Sequence, residues 1–475
     1  MLTAALLALA GSLGATSDST NLERALDTIS ADEIRSDLEF IASDPMKGRD
    51  TPSPQLQIAA RFLRARLMRL GLTPGGQGGS YFYEWTFPQV GMDLEATSLR
   101  IEGRKGVAID LEWGKDYYLP QTALARREVE GAAIWAGKFD RKKVGKLKVK
   151  GRWLVGVNED GISQKLRRDL QEKGAAGVLL FPPKRAKKTV DEIFGQLTAG
   201  ITKPRLARGV SERERLPVVH VDEAAAQRIL EVLPQRLSIG ADLDVDITER
   251  CGFGRLDDAV LENVVGIWPG SDPRLKKELI IISAHYDHIG WQEDGTVFNG
   301  ADDNGSGTCG LLAIAEALVE YGPMRRSVML MWVSGEEKGL YGSEAWTKDP
   351  YLPNGLKPLC NINIDMIGRN KSDEFLITPT SKHSAYNALT KVAEANMRKE
   401  GFRKVRSADS YWRRSDHANF SEHLDIPVAF LFCDVHEDYH KATDTPDKID
   451  YDKVRRICRL VVRMLEALQI DEPKF

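Results

Sequence analysis

From about residue 255 onward the chain repeats one pattern: short, predominantly apolar runs separated by amphipathic stretches. Leu279–Ser283, Ser327–Val333 and Pro427–Phe432 have strand length and little regular polar alternation, as expected of strands covered on both faces, and Cys360–Ile364 reads as a further strand. Between the first two lies Gly305–Tyr321, where Leu311, Leu312, Ile314, Ala315 and Leu318 predict a helix, and Asp452–Leu468 predicts another. Strands alternating with helices imply an α/β fold with a mixed, mostly parallel central sheet flanked by helices.

The earlier part of the chain reads differently. Residues 21–71 are helical in pattern: Leu38, Ile41 and Ala42 share a face, Phe62, Leu63, Leu67 and Leu70 recur at helical spacing, and Gly71 is a stop signal. The sequence TPGGQGGS at 73–80 predicts a turn or mobile loop, and the alternating segments Tyr81–Phe87 and Leu99–Leu111 predict strands. Over 119–245 the short runs Ala132–Ala136, Trp153–Val157 and Val178–Phe181, with a helix at Leu166–Lys173, suggest a small inserted α/β domain. Within it, Arg141–Arg152 interleaves lysines with Val144, Leu147 and Val149, which reads as a solvated strand edge. The expected division is a possible signal segment at 1–20, the first part of the main domain at 21–118, the insert at 119–245, and the rest of the main domain at 246–475.

Composition narrows the class. In 475 residues, 42% are hydrophobic and 28% charged, an ordinary globular balance that excludes a disordered or collagen-like chain. The net charge of −3 gives no reason to expect nucleic acid as a partner. There is no apolar run long enough for a membrane span. Met1–Leu9 followed by Ala10, Gly11 and Ser12 has the form of an export signal's apolar region and cleavage site, although no basic residue precedes Arg24. The expected location is therefore periplasmic or secreted. Five dispersed cysteines fit neither a disulfide framework nor a cysteine-rich zinc module.

Chemistry concentrates where the predicted strands end. Leu279–Ser283 leads into His285, Asp287 and His288; Ser327–Val333 into Glu336 and Glu337; Cys360–Ile364 into Asp365; Pro427–Phe432 into His436 and His440. Asp302 and Asp303 sit between glycines just before a helix. Open α/β sheets bind ligands outside the carboxyl ends of their strands, so these residues predict one site. Histidines with carboxylates and no cysteine suit catalytic zinc. Two dications close together need a shared carboxylate, for which Asp303 is the candidate. The neighbouring side chains of Glu336 and Glu337 point different ways, so one can hold metal while the other carries a proton. His288 is expected to make a structural hydrogen bond. Ser415, Asp416 and His417 are too close in sequence for a serine triad and are expected to line the site. His436–His440 matches HExxH, but that motif requires a helix, and none is predicted here.

The stretches AHYDHIG at 284–290, NGADDNGSG at 299–307, SGEEKGLYGS at 334–343, NIDMIGR at 363–369, SDHANF at 415–420 and YHKATDTPD at 439–447 together resemble the co-catalytic zinc exopeptidases of metallopeptidase family 28, of the bacterial leucyl aminopeptidase and aminopeptidase Y type. SDPMKGRDTPS at 43–53 resembles the family's leader, and VEGAAIW at 129–135 with EKGAAGVLLF at 172–181 resembles a protease-associated domain. The resemblance implies two Zn2+ per chain, one on His285, Asp365 and Asp303, the other on Glu337, His440 and the same Asp303. It implies Glu336 as general base and acid, Asp287 as the partner fixing the His285 tautomer, Tyr439 as a hydrogen-bond donor to the oxyanion, and a cis peptide after Asp303. The expected activity is removal of the N-terminal residue from a peptide with a free amino terminus. Tyr411, Trp412, Arg413 and Arg414 are expected at the entrance. A carboxypeptidase, a glutaminyl cyclase or a non-catalytic receptor on the same scaffold are the alternatives; the complete ligand set and Glu336 favour the aminopeptidase.

Overall fold

The computed structural model describes residues 20–103, 106–120, 124–158, 162–183, 204–208, 215–292 and 294–471. The expected export signal lies almost wholly outside them. The chain divides into two compact units, one formed by residues up to Thr86 together with Val260–Phe475, the other by Phe87–Ala259.

The first unit is built on a nine-stranded mixed sheet. Its strands are β1 (Thr73–Pro74), β2 (Phe82–Phe87), β3 (Ala259–Trp268), β4 (Glu278–His285), β5 (Ser327–Val333), β6 (Lys357–Ile364), β7 (Glu374–Thr378), β8 (Lys404–Ser407) and β9 (Val428–Phe432). They run in the order β1–β3–β5–β4–β6–β9–β7–β8, with β2 paired to β3. The four central strands, β5–β4–β6–β9, are mutually parallel. Antiparallel pairing enters at β3–β5 and β9–β7. Every residue of β5 and β9 is buried, which is why these strands read as nearly continuous apolar runs rather than alternating ones. Helix Gly307–Tyr321 is apolar almost all round because it packs against the sheet and against the closing helix Tyr451–Ala467.

Among the described residues, the region expected to be helical over 21–71 holds three α-helices, residues 20–28, Ala31–Ile41 and Pro54–Leu70, with a 3-10 turn at Asp44–Arg49. Ser30 and Ser53 cap the second and third through their hydroxyls, and Gly71 closes the third in the left-handed conformation at φ 76°. The Gly-rich stretch after it is not a free loop: Thr73 and Pro74 pair with Ile267 and Gly266, and a tight turn follows at Gln77–Gly79. Among the described residues no helix is long and apolar enough to cross a membrane.

The second unit carries an eight-stranded sheet whose centre is parallel (127–137, 153–157, 177–181, 218–221). Trp153 and Val155 face one apolar cluster and Leu154 the other, so both faces of the sheet are filled. This unit is wider than 119–245, because Ser98–Gly103 pairs with Asp242–Cys251 in the same sheet, Ile101 opposite Ile247. The strand edge expected within Arg141–Arg152 is instead a helical turn, Arg141–Val144, capped by the Asp140 carboxylate. Val144 and Val149 are buried with Leu147 packed beside them. A cap followed by apolar residues three apart outweighs the apparent alternation.

Candidate metal centre

Because β5, β4, β6 and β9 are parallel and adjacent, their carboxyl ends open on one edge of the sheet. His285 ends β4, Glu336 and Glu337 follow β5, Asp365 follows β6, and the loop after β9 brings back Tyr439 and His440. Asp303 reaches the same place from the turn Ala301–Ser306, ahead of helix Gly307–Tyr321, and the Asp303–Asn304 peptide is cis, as the resemblance implies.

The five residues read as metal ligands surround one small space. His285 Nε2 lies 3.4 Å from Asp303 Oδ1 and 3.3 Å from Asp365 Oδ1. His440 Nε2 lies 3.1 Å from Asp303 Oδ2 and 3.1 Å from Glu337 Oε2. One carboxylate thus turns its two oxygens toward two different imidazoles, each accompanied by a further carboxylate. His440 Nε2 nonetheless makes a directed hydrogen bond to neither neighbour; its donors and acceptors converge on common ground rather than on one another. That donor set, two imidazoles and three carboxylates without sulfur, fits a pair of zinc-like cations. Side chains able to gather a metal include His285, Glu336 and Asp365 in one group and His288, Asp303 and Glu337 in another.

The electrostatics follow from burying so many carboxylates together. Burial pushes the Asp303 carboxyl up, but contacts with His285 and His440 and the charge of His288 outweigh it and hold the group well below the usual carboxylate range. The same two carboxylates, Asp303 and Glu337, overcome burial to push His440 up to about 10. Glu336 moves the other way. Burial, opposed by His285 and reinforced by Glu337, Asp365 and Asp416, raises its carboxyl far above the ordinary value. A group with that tendency is suited to taking and returning a proton.

Ser415, expected to line the site, is joined by residues that the sequence reading did not single out: Asn361, Asn363, Ser283 and, elsewhere, Asp444. Ser415 Oγ donates to Asp365 Oδ2 at 2.7 Å and itself accepts from Asn363 Nδ2 at 2.8 Å. Ser283 Oγ in turn donates to Asn363 Oδ1 at 2.7 Å and accepts from Asn361 Nδ2 at 2.9 Å. This buried chain of hydrogen bonds runs through the sheet and ends on Asp365. Its signal in the sequence is the alternation Asn361, Asn363, Asp365 within an otherwise apolar strand. Asp444 accepts the backbone N–H groups of Asp302 and Asp303, at 3.0 and 3.1 Å. Asp287 is placed as expected near His285, although the nearer acceptor for His285 Nδ1 is the Asp287 backbone carbonyl, at 3.2 Å, with the carboxylate at 3.7 Å. That carboxylate accepts from Thr51 Oγ1 and from the Glu336 N–H.

Arg49, from the SDPMKGRDTPS stretch, is completely buried. Its guanidinium donates to the carbonyls of Ile41, Tyr286, Asn299 and Gly300, clamping the segments on either side of His285 and Asp303. Arg49→Met would leave these four acceptors without their donor. It is expected to lower unfolding stability by about 3 kcal/mol or more, measured by urea unfolding of the purified protein. A loss below about 1 kcal/mol would show that the clamp is dispensable.

The loop carrying His436–His440 is a series of turns, not a helix. His436 Nε2 faces Asp302 Oδ2 at 3.3 Å while His440 faces Asp303, so the two histidines do not share a site as HExxH would require. Glu437 is exposed. Tyr439 stacks on His440 with ring centroids 3.9 Å apart, and its hydroxyl accepts from Arg414 Nη2 at 3.3 Å. The cleft over the carboxylates is lined by Met366, Tyr411, Phe430, Phe432 and Arg414. Of the entrance residues expected from sequence, Tyr411 and Arg414 are there. Trp412 instead packs on His383 and His417, and Arg413 is solvent-exposed.

Residues 263–465 match the sequence model of Peptidase family M28. A probable leucine aminopeptidase of Arthroderma otae is 30% identical over 226 residues, covering 44% of this chain and 61% of that protein. A second, from Trichophyton verrucosum, is 29% identical over 199 residues, covering 40% of this chain and 54% of its own length. The chain thus spans little more than half the length of these curated relatives. An aminopeptidase from Aneurinibacillus sp. strain AM-1 shares the fold with a TM-score of 0.51, at 17% identity, over 96% of this chain and 98% of that one. The segment that carries the site, residues 263–465, is thus similar to peptidase family M28.

Proposed function

We propose that this protein is a di-zinc aminopeptidase, and that it removes the N-terminal residue of peptides bearing a free amino group. The observation that carries the reading is the Asp303 carboxylate, with Oδ1 toward His285 and Oδ2 toward His440. His285 and Asp365 on one side and Glu337 and His440 on the other would complete two coordination sets around it. Two zinc ions held there would supply Lewis acidity that makes water a nucleophile near neutral pH. Glu336 takes the proton of the attacking water and delivers it to the leaving amine. Tyr439, at the rim, donates to the developing oxyanion. Asp287 holds His285 in one tautomer through its Nδ1–H. The substrate's ammonium group sits among the carboxylates, and its first side chain enters the cleft formed by Met366, Tyr411, Phe430 and Phe432. This sets an apolar preference. The relatives named above as probable leucine aminopeptidases support the reaction class. The unit formed by Phe87–Ala259 is read as a protease-associated domain, and the protein as exported.

The test is hydrolysis of leucyl-p-nitroanilide against its N-acetylated form. The expected result is turnover of the free amine only, lost on dialysis against a chelator and restored by zinc, with two ions per chain by elemental analysis. Equal cleavage of the blocked substrate, or full activity in the metal-free protein, would overturn the proposal.

A further inference from the structure

His288 is fully buried three residues beyond His285 and lies close enough to Asp303 and Glu337 to gather a metal with them, yet it belongs to neither of the two coordination sets proposed above. Its ring is pinned. Gly300, with φ 59°, presses its backbone against the imidazole so closely that a Cβ there would lie 2.5 Å from ring carbons of His288. In that pose Nδ1 points at Glu337 Oε1, 2.8 Å away, whereas Asp303 Oδ2 is 3.8 Å off. A carboxylate oxygen only accepts, so Nδ1 carries the hydrogen of this contact. Glu337 therefore has its two oxygens assigned to different tasks: Oε1 accepts from His288, and Oε2 lies 3.1 Å from His440 Nε2. The other carboxylates of the site have comparable supports, Asp365 from Ser415 and the Asp303 backbone from Asp444. Glu337 is the one whose support is an imidazole delivered by the same loop as His285.

We infer that His288 is a positioning residue for Glu337, and that its Nδ1–H sets the affinity of the cation shared by Glu337, His440 and Asp303 without ligating it. The inference rests on the metal-centre reading above, but its consequence is unequal. The ion held by His285, Asp365 and Asp303 has its own supports in Asp287 and Ser415, which His288 does not touch. Removing the Nδ1–H frees Glu337 to rotate and so weakens one ion far more than the other.

The experiment is competition of zinc against a chromophoric chelator, with no peptide substrate present, on wild-type protein and three variants. His288→Asn presents an amide N–H close to the place of Nδ1. His288→Leu fills the space without a donor, and His288→Gln carries its amide to the position of Nε2 instead. The expected result is two binding steps in all four proteins. The weaker-supported step falls about 10- to 100-fold in His288→Leu and His288→Gln. It stays within a few-fold of wild type in His288→Asn, and the other step is unchanged throughout. Circular dichroism melts of the metal-free proteins check that each variant folds; if Leu does not, the contrast of Asn with Gln decides. Equal affinities in Gln and wild type, or an Asn variant as weak as Gln, would overturn the role of Nδ1–H. A single zinc step already in the wild type would overturn the two-ion reading itself, which separates the two failures.

Discussion

Glu336→Gln is expected to lower kcat on leucyl-p-nitroanilide by about two to four orders of magnitude, the usual contribution of a positioned general base. KM and bound zinc should stay close to wild type. Glu336 makes none of the short contacts that tie His285, Asp303, Glu337, Asp365 and His440 together, and its backbone N–H is anchored on Asp287. Gln keeps the shape and loses the ability to accept a proton, so the interaction removed is one made in the transition state, which appears in kcat. Burial and the surrounding carboxylates raise this carboxyl, which is the environment a proton carrier needs. Steady-state kinetics with parallel metal analysis checks the prediction. A variant that keeps a tenth or more of kcat would remove Glu336 from the role. Glu437→Gln, in the same assay, should behave as wild type, because Glu437 is exposed in a turn of the loop that only resembles HExxH.

Asp303→Ala should cost more than any other single ligand change, because one side chain faces both histidines. After dialysis the variant is expected to hold less than one zinc per chain and to lose at least about a thousandfold in kcat/KM, the several kcal/mol that Lewis-acid assistance supplies. Asp365→Ala removes a carboxylate from one side only, and should leave one ion bound. Elemental analysis of the two variants side by side distinguishes a shared ligand from two independent ones. An Asp303→Ala protein that still carries two ions would show that the carboxylate is not shared.

The parts of the fold that could be read in advance are those specified locally. β4, β5 and β9 were legible because they are buried on both faces and so mostly apolar, and β6 through its buried end Cys360–Ile364, which carries Asn361 and Asn363. Helix Pro54–Leu70 was legible in the helical spacing of Phe62, Leu63, Leu67 and Leu70 and in Gly71 at its end, whereas the Ser53 cap at its start was not read. That the strand-end histidines and carboxylates cluster was legible for a related reason: a polar, metal-capable residue directly after an apolar strand has few other uses. Where local signals competed, the reading went wrong. Arg141–Arg152 looked like an alternating edge until Asp140 was seen to cap a turn with Val144 packed inward. The pairing of Ile101 with Ile247, which carries the second unit's sheet beyond 119–245, leaves no trace in either segment alone.

By itself, then, the amino-acid order determined which residue types stand at the strand ends, and hence that a histidine–carboxylate centre was to be expected. The tertiary structure decided the pairing: which oxygen of Asp303 meets which imidazole, that Ser415 and Asn363 brace Asp365 from within the sheet, that Arg49 clamps four carbonyls from segments up to 251 residues away, and that His288 Nδ1 lies 2.8 Å from Glu337 Oε1. These contacts depend on the parallel order β5–β4–β6–β9, which brings distant strand ends to one rim. Burial and hydrophobic pattern act residue by residue and can be read along the chain, whereas directed contacts between groups distant in sequence exist only once the sheet has closed.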